Sequence, residues 1–368
     1  MALQRRRLLL RSMLLCLAII EILHLSRFQE FLVKNNNTSS HVVAAPDVPT
    51  ITTILPVITP DKEAADALAA ECALDFKGNK VVLDGLTIAP PQPNAPTVLC
   101  YILSVDSLAA SIQRVKETWG QSCDGFFVAS NATDESLNAV AIATSSEQNW
   151  RNLWEKNREA LRYLHDHHIS QSYDWIFKAD TDSYVIMPNL KAVLAPLNMS
   201  RPQLVGHRYV SPKDHSNTSS WKNQAKDDRG VFCAGAGYAF NTAFLNAFMT
   251  VIDTPECVLS PGFPEDVGIA KCFASHFPLS PPPTRDDLGR ERFHPFPPDY
   301  LRTINGTGWW WEHHHPASIG GMPLNGEDGW SRESVLFHGI KDPDFFHYIH
   351  QQLVTCRADD KINDALLG

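Results

Sequence analysis

The stretch WIFKADTDSYVIMPNL, Trp175 to Leu190, decides the reading of this chain. Trp175 to Ala179 form an apolar run of strand length that ends on two acids, Asp180 and Asp182, before apolar residues resume. In open α/β sheets, ligands gather outside the carboxyl ends of the strands. Two carboxylates one residue apart in a turn at such an end can point into the same cleft. The alternative is an Asx turn leading into PNLKAVLAPL, Pro188 to Leu197, which has helical spacing.

The neighbouring sequence repeats the alternation. TVLCYILSV (Thr97 to Val105) is a continuous apolar run, SLAASIQRVKETWG (Ser107 to Gly120) has helical spacing ending at glycine, and DGFFVAS (Asp124 to Ser130) is another short strand. NLWEKNREALRYLHDHHI (Asn152 to Ile169) is a helix leading back to the quoted strand, with His165 to His168 as a solvated end. Strand, helix and strand in this order predict a parallel α/β unit.

A chain of 368 residues with 44% hydrophobic content can bury a full core. Its formal charge of -9 argues against a duplex nucleic-acid binder, which needs a basic stripe, so an anionic ligand must be held locally by a few side chains or a metal. At the N-terminus three arginines precede an apolar run interrupted by Arg11, Glu21 and His24. No A-x-A-like site follows before VVAAP at Val42 to Pro46, which favours an uncleaved signal anchor over a cleaved signal peptide or a soluble amphipathic helix. The arginines place the short end in the cytosol and the bulk of the chain in the lumen. Sequons at Asn36, Asn37, Asn131, Asn198, Asn217 and Asn305 suit that compartment. So does a cysteine set without a C-x-x-C pair, which argues for disulfides rather than zinc. Outside the anchor the cysteines number seven, so at least one thiol is free or pairs between chains. The expected organisation is a cytosolic tail (1–7), a transmembrane anchor (8–28), a stem (29–75), a catalytic domain (76–355) and a C-terminal tail (356–368).

FKADTDSYVIMPNL resembles the metal-binding segment of the inverting β-1,3-glycosyltransferases. The order of further motifs resembles one branch of that Fringe-like family, the core 1 β-1,3-galactosyltransferases. RVKETWG (Arg114 to Gly120) is similar to the donor-side helix end, CAGAGYAF (Cys233 to Phe240) to a small-residue loop, and PEDVGIAKC (Pro264 to Cys272) to the E-D-V segment. RDDLGRERFHPFPPDYL (Arg285 to Leu301), WWWEHHHP (Trp309 to Pro316) and VLFHGI (Val335 to Ile340) follow in family order, so the resemblance spans roughly residues 97 to 350. It implies a GT-A-like, Rossmann-type mixed sheet flanked by helices, and transfer of galactose from UDP-galactose to the 3-hydroxyl of O-linked GalNAc. It also implies Mn²⁺ as cofactor, a glycoprotein acceptor, a type II Golgi or ER membrane protein, and a homodimer as one assembly. Fringe-like transfer of another sugar such as GlcNAc and a catalytically dead, chaperone-like relative are the alternatives. The dead relative lacks the acidic triplet.

By resemblance, Asp182 and His338 are direct metal ligands, with Asp180 nearer the ribose or a metal-bound water. An oxygen-rich site with one imidazole suits Mn²⁺, and a cation would offset a diphosphate that this acidic chain otherwise repels. Arg114 and Lys178 join Asp180 on the donor side. An inverting displacement needs a base and no protein nucleophile. The resemblance gives that role to Asp266, which read alone is equally a helix cap. Glu265, Tyr238, Trp309 and Trp311 fall to the acceptor, since sugar C–H faces pack on aromatic planes; three adjacent tryptophans cannot all face one core. His313 to His315 lack further ligands spaced for zinc. The resemblance also pairs Cys100 with Cys123 and Cys257 with Cys272, leaving Cys72, Cys233 and Cys356 unassigned. D-T-D stands where many relatives carry three acids, NGEDGWSRESVLFH (Asn325 to His338) lacks paired cysteines, and SPKDHSNTSSWKNQAKDDRG (Ser211 to Gly230) is longer and more polar than usual. These departures touch the acceptor side more than the donor site.

Overall fold

The computed structural model describes residues 62–76, 78–210, 231–259, 262–303 and 330–357. Its helices are α1 (Lys62–Cys72), α2 (Lys80–Asp84), α3 (Ala109–Glu117), α4 (Leu153–Asp166), α5 (Met187–Leu194), α6 (Thr242–Met249), α7 (Glu265–Ala274), α8 (Pro298–Thr303) and α9 (Pro343–His350). The strands are β1 (Val98–Leu103), β2 (Gly125–Ser130), β3 (Ala139–Ala141), β4 (Trp175–Ala179), β5 (Tyr184–Val185), β6 (Leu204–Val210), β7 (Val231–Asn241), β8 (Phe293–His294) and β9 (Leu336–Phe337).

Six strands form a mixed sheet in the order β3-β2-β1-β4-β7-β6. The first four run parallel, and β7 pairs antiparallel with both β4 and β6. Every residue of β1 and β4 is buried, as expected of central strands covered on both faces. One face is covered by α4, α6 and α7, with Trp154, Leu161, Leu164, Phe244, Phe248 and Phe273 in its core. The other is covered by Trp119, Phe293, Leu336, Phe337, Phe346 and Ile349. A small second sheet, β5-β9-β8, lies at the carboxyl end of β4.

CAGAGYAF is part of strand β7 rather than a loop, and its Gly237 has a packing reason. Gly237 has φ +142°, and a Cβ there would stand 2.7 Å from the Lys178 carbonyl oxygen of β4. Only glycine lets the two backbones come together at that point. Helix α7 docks by the same device, since a Cβ on Gly268 would meet the Trp154 ring at 2.6 Å.

Residues 62–75, counted with the stem in the sequence, are tied to the opposite end of the chain. Helix α1 is alanine-rich and largely exposed, and a helix of its length is marginal alone. It is held by a Cys72–Cys356 disulfide, by Gln351 Nε2 donating to Glu71 Oε2 (2.8 Å), and by Tyr348 Oη donating to the Leu74 carbonyl (2.9 Å). Phe76 stacks on Phe345, ring centroids 5.1 Å apart. The folded unit therefore extends past both expected bounds of 76–355. Cys100–Cys123 and Cys257–Cys272 are also bonded, and Cys233 is a buried free thiol. Replacing Cys72 and Cys356 together by serine is expected to cost about 2 to 4 kcal/mol of stability. Thermal denaturation checks this, and an unchanged melting temperature would show that the noncovalent contacts of α1 suffice.

Asn131 and Asn198, two of the sequons, are exposed. The expected anchor at 8–28, the other sequons, Trp309 to Trp311, His313 to His315 and the 211–230 segment lie outside the described residues. No helix among the described residues is long and apolar enough to cross a membrane.

Candidate metal centre and active site

Strand β4 delivers Asp180 and Asp182 at its carboxyl end, in a turn closed by the Ser183 amide donating to the Asp180 carbonyl (3.1 Å). Trp119 Nε1 donates to the Ser183 carbonyl (2.8 Å) and pins the turn from the buried side. The chain then enters β5, which pairs antiparallel with β9, Tyr184 opposite Phe337. This pairing brings His338 from the far end of the domain. The Ile340 amide donating to the Asp182 carbonyl (2.9 Å) fixes the register on the other side of the histidine.

His338 Nε2 lies 3.3 Å from Asp180 Oδ2 and 3.3 Å from Asp182 Oδ1. One ligand atom from each of the three residues falls within 4.8 Å of the others. His338 Nδ1 donates to the Pro295 carbonyl (3.2 Å), which commits Nε2 to face the carboxylates as a lone-pair donor when the proton is displaced. The Pro295 segment is itself held: β8 runs parallel to β9, and the buried His207 Nδ1 donates to the Phe293 carbonyl (3.0 Å). Two carboxylates and one oriented imidazole fit a divalent cation such as Mn²⁺. All three expected ligands are brought together, with Asp180 as close to the imidazole as Asp182.

Beneath the triad runs a buried polar chain. Lys178, 4% exposed, donates to Asp180 Oδ1 (2.8 Å) and is in ion-pair contact with Glu265 Oε1. Glu265 Oε2 accepts from Tyr238 Oη (2.8 Å) and Asn157 Nδ2 (2.8 Å), and Asn157 Oδ1 accepts from Tyr101 Oη (2.6 Å). Burial alone would lower the Lys178 pKa, but the Asp180 and Glu265 carboxylates outweigh it and hold the ammonium well above its ordinary value. Asp180 is held well below the usual carboxylate range by Lys178 and His338, against the effect of burial. Burial pushes Glu265 up to about 7 despite Lys178. Burial also disfavours a charged His338, yet the hydrogen bonds to Asp180 and Asp182 raise it to about 10.

Asp266 is the second residue of α7, whose N-cap is Pro264. It is therefore not the capping residue, although its Oδ1 accepts from the Val267 amide (2.8 Å), and it is half-buried. Glu265 and Tyr238, expected at the acceptor, are turned inward at 6% and 1% exposure. Helix geometry separates the two: successive side chains point about 100° apart round the axis, and Glu265 is the one that meets Lys178 of β4 and Tyr238 of β7. Arg114 stands apart from the triad contacts, its guanidinium 5.0 Å from the centre of the Phe346 ring on α9. Asn157 and Tyr101 belong to none of the sequence motifs. The available signal was the spacing of Asn157 with Trp154, Leu161 and Leu164 on the buried stripe of α4.

Comparison with known proteins gives three findings. The family model described as Fringe-like matches residues 109–284. Over 208 residues the chain is 30% identical to glycoprotein-N-acetylgalactosamine 3-beta-galactosyltransferase 1 of Xenopus laevis, an alignment covering 56% of this chain and 52% of that protein. The chain thus spans about half the length of the curated relative it matches. Among solved structures, a glycosyltransferase involved in the glycosylation of the major capsid of PBCV-1 aligns at 13% identity and a TM-score of 0.31, covering 68% of this chain and 98% of that one.

Proposed function

We propose that this chain is an inverting β-1,3-galactosyltransferase that moves galactose from UDP-galactose to the 3-hydroxyl of O-linked GalNAc on glycoproteins. The observation that carries the reading is the convergence of Asp180, Asp182 and His338 at the carboxyl end of β4, inside a chain similar to a galactosyltransferase acting on that acceptor. We read the mixed sheet as a GT-A-like domain behind a type II signal anchor and stem, facing the Golgi or ER lumen.

Asp182, Asp180 and His338 would hold Mn²⁺, which when bound supplies counter-charge to the diphosphate of the donor. Arg114 and Lys178 support the donor side, Arg114 as a cation beside the leaving diphosphate and Lys178 by fixing Asp180. Asp266 is the base: its carboxylate takes the proton of the acceptor 3-hydroxyl as that oxygen bonds to the anomeric carbon and the bond to UDP breaks on the opposite face. One displacement inverts the anomeric configuration, so an α-linked donor gives a β linkage. Trp309 and Trp311 are assigned to the acceptor by resemblance.

The test incubates the purified full-length chain with Mn²⁺, a panel of UDP-sugars and a GalNAc-peptide, and measures both UDP release and glycosylated product. Galactosylated peptide is expected. GlcNAc transfer would identify a Fringe-like donor choice, and peptide binding without transfer from any donor would identify a dead relative.

A further inference from the structure

We infer that Glu265 is a positioning residue that sets the charge of the metal centre by neutralising Lys178, a role distinct from acceptor contact. The inference rests on the assignment of Asp180, Asp182 and His338 as cation ligands.

Lys178 is the problem that the arrangement solves. An ammonium 2.8 Å from Asp180 Oδ1 opposes any cation that Asp180 helps to hold. Yet Lys178 sits on β4 two residues before Asp180, buried between the central strands, and it fixes the Asp180 carboxylate so that Oδ2 faces His338. Orientation and repulsion therefore come from the same atom. Glu265 resolves the conflict from the other side of the ammonium, with Oε1 in contact with Lys178 Nζ. Three carboxylates (Asp180, Asp182 and Glu265) against one ammonium leave two negative charges, equal and opposite to the charge of a divalent cation. Without Glu265 the same cluster carries one.

The rest of the buried chain holds Glu265 in place. Tyr238 Oη and Asn157 Nδ2 both donate to Oε2, which directs Oε1 to Lys178. Tyr238 comes from β7, opposite Lys178 in the sheet register, and Asn157 from α4. Glu265 is also the first residue of α7, whose second residue is Asp266. Helix α7 thus meets Lys178 by one side chain and carries the proposed base as the next.

The experiment measures Mn²⁺ binding to the purified full-length chain at pH 8, without donor or acceptor, by the electron paramagnetic resonance signal of free Mn²⁺. Glu265→Gln keeps the size of the side chain and its bonds to Tyr238 and Asn157, and is expected to weaken Mn²⁺ binding at least tenfold. Adding Lys178→Met to Glu265→Gln restores the net charge of the cluster, so binding should return most of the way to wild type. Tyr238→Phe removes a hydrogen bond but no charge and should change affinity no more than a few-fold. It also reads the role of the network if Glu265→Gln does not fold. A structural role alone gives a different pattern, in which the double variant binds no better than Glu265→Gln and Tyr238→Phe loses affinity comparably. That pattern overturns the inference, as does unaltered affinity in Glu265→Gln. Absence of Mn²⁺ binding by the wild-type chain would instead remove the ligand assignment, and the inference with it.

Discussion

Asp182→Ala is expected to lower galactose transfer by about 10³-fold or more, the rate equivalent of losing several kcal/mol of charge stabilisation on the departing diphosphate. The substitution removes one of the two carboxylates that face His338 Nε2. It leaves the surrounding backbone bonds in place, because Asp182 anchors its turn through its carbonyl, which accepts from the Ile340 amide. The fold should therefore survive while Mn²⁺-dependent donor binding disappears. His338→Ala should behave alike for the same reason, since its amide donates to the His294 carbonyl (3.1 Å) whatever its side chain. Calorimetric titration of UDP in the presence and absence of Mn²⁺ checks both variants. Undiminished transfer by either, or by the wild-type chain in excess chelator, would remove the metal from the reading.

The second large effect separates chemistry from binding. Asp266→Asn should reduce the single-turnover rate by about 10² to 10⁴ while donor affinity changes little. Asparagine still offers the Val267 amide an acceptor, so the first turn of α7 loses little stability. It cannot take a proton from the acceptor hydroxyl. Because Pro264 occupies the N-cap, the alternative of a purely capping aspartate has lost its main support. The measurement is single-turnover transfer to a GalNAc-peptide at saturating Mn²⁺ and UDP-galactose. A rate within a few-fold of wild type would send the search for the base to Glu265 or to the acids Asp286 and Asp287.

Much of this site is readable from residues 175–190, because a buried strand and the acids that end it are local features. Val98–Leu103, Gly125–Ser130 and Trp175–Ala179 form strands where apolar runs of strand length predict them. His338 is different. Nothing near VLFHGI marks it as a ligand; the β5–β9 pairing brings it to the two acids, and only the motif order of the resemblance points there. The inward turn of Glu265 depends on how α7 meets β4 and β7, a packing outcome with no local signature. Likewise the Cys72–Cys356 bond could not be chosen among unassigned cysteines, since pairing is set by geometry rather than spacing. Residues 62–72 fall in the expected stem because their alanine-rich sequence has little to bury; what they are tied to lies at the other end of the chain.

The β5–β9 pairing also imposes an order in time. Asp180 and Asp182 leave the ribosome well before His338, and at ordinary rates of synthesis the interval is on the order of ten seconds. During it the chain can close Cys100–Cys123 and Cys257–Cys272, whose partners are 23 and 15 residues apart, while Cys72 waits for a partner 284 residues downstream. The nascent protein therefore carries both acids without the imidazole that completes their set. With the proposed ligand set, cation affinity is expected only after β9 has emerged and docked, so acquisition of Mn²⁺ by translation intermediates of increasing length would report the moment at which the two ends of the domain meet.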